Sequence, residues 1–181
     1  MLSDAEPNAA HYALAELEAV GLVQAVVTQN IDLLHERAGS REVVEVHGSI
    51  RASTCPQCGG SHGLERVLAM LRERPGEPPR CASCAGVLKP DVVFFGELLP
   101  EREVERAYEL ARSAGLMLVV GSSLEVFPVA GLPHETLDAG GKVAIVNLGP
   151  TPLDRQADVK IEESAAEVLP EVLRIVTQRS A

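Results

Sequence analysis

The feature that most constrains this chain is a set of four cysteines arranged as two close pairs. Cys55-Pro-Gln-Cys58 and Cys81-Ala-Ser-Cys84 are separated by 22 residues. A C-x₂-C pair places two thiolates on one tight turn, and two such turns complete the tetrahedral four-sulfur set that suits Zn²⁺. Two local disulfides or four reduced cysteines are the alternatives. Because four thiolates leave no open position on the metal, we predict one structural zinc ion held by Cys55, Cys58, Cys81 and Cys84.

The cysteines lie in a stretch that differs from the rest of the chain. Residues 51–90 also contain a proline-rich loop at 75–79 and one amphipathic helical pattern, with Leu64, Val67, Leu68 and Leu71 on one face. We interpret this stretch as a small zinc-binding module inserted into a larger domain. His62 lies between the cysteine pairs and could replace a ligand. With four cysteines available, we expect it to be a solvated loop residue.

Outside the insert, short apolar runs alternate with helical patterns. Strands are predicted at residues 22–27, 43–46, 92–95, 116–120, 143–146 and 159–161, and helices at 8–20, 100–114 and 128–139. A last helix begins near Ser164, where Glu167 completes a capping box, and Pro170 either kinks it or delays its start. This alternation predicts an α/β fold with a mostly parallel sheet covered on both faces. The main domain then comprises residues 1–50 and 91–181.

Charge and composition exclude several classes of function. The chain has 16 Lys and Arg against 26 Asp and Glu, a net charge of −10, which opposes binding to nucleic acids and to anionic membranes. A DNA-binding zinc module draws some support from basic residues of the insert, but acidic residues interrupt that patch. Residues 1–10 lack the pattern of a secretory signal, and no apolar run is long enough to cross a bilayer. We therefore expect a cytoplasmic protein.

Polar residues and glycines follow five of the predicted strands. They are Thr28 to Asp32, His47 and Gly48, Gly96 and Glu97, Gly121 to Ser123, and Asn147. In open α/β sheets, ligands bind outside the carboxyl ends of the strands. A set of such groups at one edge predicts a cleft for a large polar ligand.

Each group also has a purely structural interpretation. Asn30 and Asp32 are typical of Asx turns or helix N-caps, and Gly121-Ser122-Ser123 is compatible with an ordinary turn after a strand. His47 would be a catalytic base only if a substrate hydroxyl lay within reach. The co-location of these groups favours the binding interpretation.

The order and spacing of these motifs resemble one family, the sirtuins, which are NAD-dependent protein deacylases. The resemblance covers essentially the whole chain. It rests on Pro7-Asn8 with His11, Thr28-Gln29-Asn30-Ile31-Asp32 with Leu34-His35, Ala38-Gly39, His47-Gly48, both cysteine pairs, Leu88 to Glu97, Gly121-Ser122-Ser123-Leu124 with Val126 and Pro128, and Asn147.

The resemblance implies a Rossmann-like domain carrying a small zinc module, with NAD and an acyl-lysine peptide meeting between them. His47 would be the general base on the nicotinamide ribose. The expected NAD-binding residues are Gln29, Asn30, Asp32, Gly121, Ser122, Ser123 and Asn147. The expected acyl-lysine-binding residues are Val93, Phe95, Gly96 and Glu97, which would pair with the peptide as an added strand.

One part of the family pattern is missing. The pattern of the family begins with a strand and a Gly-Ala-Gly loop that holds the pyrophosphate. No Gly-Ala-Gly or G-x-G-x-x-G occurs in the 181 residues of this chain. The first strand is central in a sheet of order 3-2-1-4-5-6. Without it, we expect two half-sheets whose unpaired edges face each other, and a protein of low stability. The simplest hypothesis is an N-terminally shortened sirtuin. Two functions stay open: an NAD-dependent deacylase, and an inactive remnant that binds peptides or proteins.

Overall fold

The computed structural model describes residues 5–179 of the chain. The helices are α1 (Ala9–Ala19), α2 (Leu34–Arg37), α3 (Leu64–Glu73), α4 (Glu101–Ser113), α5 (Leu132–Asp138) and α6 (Ala165–Arg179), with a 3₁₀ turn at Val129–Gly131. The strands are β1 (Val26–Thr28), β2 (Val43–Glu45), β3 (Gly48–Thr54), β4 (Ser61–Gly63), β5 (Lys89–Val92), β6 (Leu116–Val120), β7 (Lys142–Val146) and β8 (Val159–Ile161).

The expected α/β fold is confirmed, and its parallel sheet is in two pieces. One piece pairs β1 with β2, and the other has the order β6-β7-β8, with all neighbours parallel. Across residues 5–179, β1 and β6 do not pair with each other. In a sheet of order 3-2-1-4-5-6, these pieces correspond to strands 3-2 and 4-5-6. The expected division into two half-sheets is therefore present.

Helices on both faces hold the two half-sheets together. On one face, α4 and α5 cover an apolar cluster that includes Val44, Leu110 and Leu132, and Val27 of β1 and Met117 of β6 both pack against it. On the other face, α1 packs against α6, and Leu118 and Val120 of β6 contact their shared cluster. Side-chain packing thus joins the half-sheets where main-chain hydrogen bonds do not.

The starts of α1 and α6 can be compared with the local sequence signals. Asn8 caps α1: its side chain accepts hydrogen bonds from the N–H groups of Ala10 and His11, while His11 accepts one from the Asn8 N–H. Helix α6 begins at Ala165, so Pro170 lies inside the helix and does not delay its start. No helix within residues 5–179 is long and apolar enough to span a membrane.

The prediction of a strand at residues 92–95 is wrong in both its bounds and its sheet. The strand is β5, which ends at Val92 and pairs antiparallel with β3 in a separate sheet of order β4-β3-β5. The chain leaves β5 at Val93 and enters a turn, where the side chain of Phe95 is fully exposed. An apolar run that serves an exposed turn has the same sequence pattern as a buried strand.

Candidate functional site

The predicted base and the predicted NAD-binding residues lie where β1, β2, β6 and β7 end. Gln29 follows β1 and His47 lies just beyond β2, and the imidazole Nδ1 of His47 is 3.1 Å from the main-chain oxygen of Gln29. The side-chain amide of Gln29 donates to the main-chain oxygen of Val126, beyond β6, at 3.4 Å. One residue therefore contacts both half-sheets, and it does so beside the predicted base.

His47 is held on both sides by main-chain contacts. Its own carbonyl accepts a hydrogen bond from the Val93 N–H at 2.9 Å. The next residue, Gly48, has a φ of +71°, and a Cβ at that position would lie 2.2 Å from the main-chain oxygen of Asp91. Only glycine permits that close approach of β3 to β5. His47, whose imidazole is half-buried, is thus held between β2 and Val93, the residue that follows β5.

The contact with Gln29 also sets the protonation pattern of the His47 ring. A carbonyl oxygen can only accept, so Nδ1 carries the hydrogen in this arrangement. In the neutral imidazole, Nε2 is then the nitrogen with a free lone pair. This is the form of the ring that a general base requires.

The polar groups after β1 form local turns, as the structural interpretation predicted for Asp32. Thr28 Oγ1 accepts from the Asn30 N–H at 3.0 Å, and Asp32 Oδ1 accepts from the Leu34 N–H at 3.0 Å. Leu33 adopts a left-handed conformation between them, with a φ of 64°. Asn30 itself is exposed. These turns bring polar side chains to the end of β1 without excluding a ligand.

The groups after β6 and β7 form the second half of the site. The Gly121 N–H donates to the main-chain oxygen of Val146, which joins the ends of the two strands, and Ser122 Oγ accepts from the Leu124 N–H at 3.2 Å. Ser123 is exposed. Asn147 continues the β7 pairing through its N–H to Ile161, while its side chain donates to Gly149. Both half-sheets thus contribute polar loops at the carboxyl ends of their strands.

The segment after β5 is a closed turn. The Glu97 N–H donates to the main-chain oxygen of Phe94, and the Phe94 N–H donates back to the Glu97 carboxylate, each at 3.0 Å. Gly96 has a φ of +88°, which a turn of this kind requires at its third position. Lys89 forms an ion pair with Glu97 at 3.0 Å. The Phe94 N–H and the Lys89 ammonium lower the pKa of Glu97.

Lys89 is a functional candidate that sequence reasoning missed. It lies within the Leu88 to Glu97 motif, and in the sequence it is one of the basic residues of the insert. In the structure its ammonium also donates to the main-chain oxygen of Val92 at 3.0 Å and lies 4.9 Å from the centre of the Phe94 ring. In the sequence, Lys89 stands eight residues before Glu97. That spacing alone does not predict a contact, and the two side chains meet because of the fold.

The four cysteines meet in one cluster, as predicted, and their geometry fits zinc. The Sγ–Sγ distances are 3.5 Å for Cys55 and Cys84, 3.6 Å for Cys58 and Cys81, and 3.4 Å for Cys84 and Cys58. Zn–S bonds of about 2.3 Å in a tetrahedron place the sulfurs about 3.8 Å apart. All four ligand atoms lie within 4.8 Å of one another. The set therefore fits a closed structural zinc site.

The two knuckles have the same main-chain hydrogen bonds. In the first, the Gly59 N–H donates to Cys55 O at 2.8 Å, and in the second, the Ala85 N–H donates to Cys81 O at 2.9 Å. The residue after the second cysteine is left-handed in both, with a φ of 72° at Gly59 and 60° at Ala85. Each knuckle thus presents two thiols from one tight turn.

The chemistry of the thiols supports a bound cation. A hydrogen bond from His62, with further ones from the Ser83 and Cys84 N–H groups, lowers the pKa of Cys81 to about 5. The Gly86 N–H favours ionisation of Cys84, but the crowding by Cys55 and Cys58 outweighs it and raises the pKa of Cys84 to about 12. Without a cation, four thiolates at these distances repel one another.

His62 does not behave as the sequence predicted. It is half-buried on β4, where it pairs with Ser53 of β3, and its side chain interacts with Cys81. The short strand was missed because Ser61-His-Gly63 has no apolar pattern. His62 is therefore not one of the four sulfur ligands but interacts with one of them, Cys81.

The comparisons with known proteins agree with this geometry. The Sir2 family model matches residues 1–128. The chain belongs to the Sir2 family. It is 45% identical over 179 residues to the NAD-dependent protein deacetylase of Sulfurisphaera tokodaii, covering 99% of this chain and 70% of that protein. It is 49% identical over 173 residues to NAD-dependent protein deacylase 2 of Archaeoglobus fulgidus, covering 95% and 68% respectively.

Solved Sir2 structures superpose on nearly the whole chain. A Sir2 complex with a p53 peptide and NAD⁺ gives a TM-score of 0.92 at 43% identity, covering 97% of this chain and 72% of that one. A Sir2 structure bound to a propionylated peptide gives a TM-score of 0.91 at 43% identity, covering 97% and 73%. The two half-sheets and the zinc module of this sirtuin chain therefore have the arrangement seen in its relatives.

Proposed function

We propose that this sirtuin is an NAD-dependent protein lysine deacylase that transfers the acyl group of acyl-lysine to ADP-ribose and releases nicotinamide. The observation that carries the proposal is the contact of His47 Nδ1 with Gln29 O. This contact leaves Nε2 of the same ring free to accept a proton. The deacetylase and deacylase relatives and the peptide-bound Sir2 structures support the same activity.

In this proposal, NAD⁺ binds to the loops at the carboxyl ends of the parallel strands. Gln29, Asn30 and Asp32 line the nicotinamide and ribose end. Gly121, Ser122, Ser123 and Asn147 hold the adenosine end, where main-chain N–H groups and hydroxyls suit ribose and phosphate oxygens. When bound, NAD⁺ supplies an activated ribose carbon that accepts the acyl oxygen as nicotinamide leaves.

His47 moves the proton. Its Nε2 accepts the hydrogen of a ribose hydroxyl, so that the oxygen can attack the acyl carbon, and the Gln29 carbonyl stabilises the resulting imidazolium through Nδ1. The acyl-lysine peptide pairs beside Val93, Phe95, Gly96 and Glu97 as an added strand. This placement puts the peptide next to His47, because the Val93 N–H is bonded to the His47 carbonyl.

The zinc module has a structural role in this proposal. The domain division is residues 1–50 with 91–181 for NAD binding, and residues 51–90 for the module. A closed four-sulfur site has no position for substrate. The metal instead stabilises β3 and β5, and with them the Phe94–Glu97 turn that follows β5. Four thiol ligands require a reducing compartment, which supports a cytoplasmic location.

The test is direct. The zinc-loaded chain is incubated with NAD⁺ and peptides carrying acetyl-, propionyl- or longer acyl-lysine, and O-acyl-ADP-ribose is measured by mass spectrometry. Formation of that product supports the proposal. If no product forms, calorimetry with NAD⁺ and with the peptide separately shows which of the two ligands does not bind. Peptide binding without NAD⁺ binding would show a peptide-binding protein instead of an enzyme.

A further inference from the structure

We infer that Lys89 and Glu97 act as a positioning pair that closes the Phe94–Glu97 turn in the shape that receives the acyl-lysine peptide. This inference rests on the proposed function. It assigns a role to Lys89, and it gives the Glu97 carboxylate an internal role in place of direct contact with the peptide.

The first step of the argument is that the Glu97 carboxylate already has partners. It accepts from the Phe94 N–H at 3.0 Å and pairs with the Lys89 ammonium at 3.0 Å. The Glu97 N–H returns a hydrogen bond to Phe94 O, so the two residues bond to each other twice. A carboxylate committed in this way shapes the turn from within.

The second step is that Lys89 connects the turn to the small sheet. Lys89 pairs with Thr54 of β3, so its main chain is fixed in the sheet. From there its ammonium reaches the Val92 carbonyl at 3.0 Å, the Glu97 carboxylate at 3.0 Å and the face of the Phe94 ring at 4.9 Å. One cation therefore contacts both ends of the turn and the last residue of β5.

The third step concerns what the pair stabilises. The side chains of Lys89 and Glu97 are 39% and 40% exposed, and ion pairs of that kind contribute little to global stability. Their effect is local: they hold Gly96 at its φ of +88° and place Phe95, whose side chain is 104% exposed, at the apex. A turn that is already ordered loses less conformational entropy when a peptide pairs with it.

The experiment measures binding of an acetyl-lysine peptide to the zinc-loaded chain by calorimetry, in the presence of NAD⁺. Lys89→Met and Glu97→Gln each weaken binding by about 3- to 10-fold. Lys89→Arg keeps binding within about 2-fold, because a guanidinium can pair with Glu97 and stack on Phe94. The double variant Lys89→Met/Glu97→Gln loses less affinity than the product of the two single effects, since both changes remove the same ion pair.

The matched control is Arg106→Met. Arg106 pairs with Glu109 at 3.4 Å on α4, so this change removes another exposed ion pair and should leave peptide affinity unchanged. Zinc content and the melting temperature of Lys89→Met should match those of the wild type. Hydrogen exchange gives a second measurement: the Phe94 amide exchanges faster in Lys89→Met and in Glu97→Gln, and not in Arg106→Met.

The outcomes separate the two proposals. Wild-type affinity in Lys89→Met, or unchanged exchange of the Phe94 amide, would overturn the positioning role and leave the deacylase proposal standing. Failure of the wild-type chain to bind the peptide would contradict the peptide site of the proposed function and the positioning role with it. Loss of affinity in Lys89→Arg equal to that in Lys89→Met would also reject the ion pair as the cause.

Discussion

The Nδ1 atom of His47 lies 3.1 Å from the main-chain oxygen of Gln29, and the Gln29 side chain reaches Val126 beyond β6. The ring that is proposed to move the proton is thus oriented by the residue that contacts both half-sheets. Because the orienting group is a main-chain carbonyl, its position depends on the fold of β1 and survives substitution of the Gln29 side chain.

Replacing His47 should abolish turnover without unfolding the protein. His47→Ala removes the proton acceptor, and loss of a general base lowers rates by about 100- to 10,000-fold. The measurement is O-acyl-ADP-ribose formation, with zinc content and circular dichroism as controls. His47→Tyr should have the same effect. Deacylation retained in either variant would contradict the assigned role.

Removing the metal should destabilise the insert. The chain should hold one zinc ion, and chelation should lower the melting temperature by roughly 10 °C or more, because metal binding contributes directly to folding. Cys84→Ser should reproduce that loss, whereas Ser83→Ala, which changes the neighbouring side chain, should not. Metal analysis and thermal unfolding monitored by circular dichroism provide the measurements. A chain that melts at one temperature with and without chelator would exclude the structural zinc.

The two knuckles provide a matched pair of opposite substitutions. Ala85 is exposed and left-handed, so Ala85→Gly should stabilise the protein by up to about 1 kcal/mol. Gly59 has the same place in the first knuckle, and Gly59→Ala should destabilise it by about 1 kcal/mol, although a Cβ there meets no atom within 4 Å. Chemical unfolding of the zinc-loaded proteins measures both. Equal signs for the two changes would show that main-chain strain is not the cause.

Stability should fall below neutral pH because of two histidines. The rings of His11 and His35 are 4.8 Å apart, and burial lowers the pKa of each, with Asp32 opposing the shift. The unfolded chain therefore binds more protons below about pH 6.5, so the free energy of unfolding decreases as the pH falls. His35 Nδ1 is buried, and residues 5–179 offer it no hydrogen-bond partner, so a proton there would lack an acceptor.

Thermal unfolding at pH values from about 7 to 5 tests this pH dependence. His35→Gln should flatten the curve, because it removes one group that must gain a proton on unfolding. The control is His134→Gln, at an exposed position on α5, which should keep the wild-type slope. A wild-type slope in His35→Gln would assign the pH dependence to other groups.

Helices α4 and α5 are joined by one buried hydroxyl. Thr136 Oγ1 donates to the Ala111 carbonyl at 2.7 Å, and Thr136 is fully buried. Thr136→Val keeps the shape and removes the donor, so it should cost about 1 to 2 kcal/mol in urea unfolding. Thr177→Val is the control, since Thr177 bonds within α6 to Leu173 and the same change there should cost less. Equal costs would mean that the link between α4 and α5 adds nothing.

Much of this protein could be predicted from its sequence because the signals are local. The spacing within each cysteine pair places two thiols on one turn, and the apolar runs of β6 and β8 matched their strands at both ends. Asn8 likewise acts within a few residues of its own position. The resemblance to a family added the proposed roles of His47 and of the NAD-binding loops, which residue patterns alone left open.

Other features depend on pairing between distant segments, and only the tertiary structure decided them. Strands β3 and β4 have no apolar periodicity, so their pairing with each other and with β5 was not visible in the chain. That pairing ends β5 at Val92 and leaves the residues after it to a turn, brings His62 to Cys81 and places Lys89 beside Glu97. The sequence determined which chemical groups this protein carries, and the long-range register of its strands decided which of them touch, because contact between distant residues depends on packing and not on local propensity.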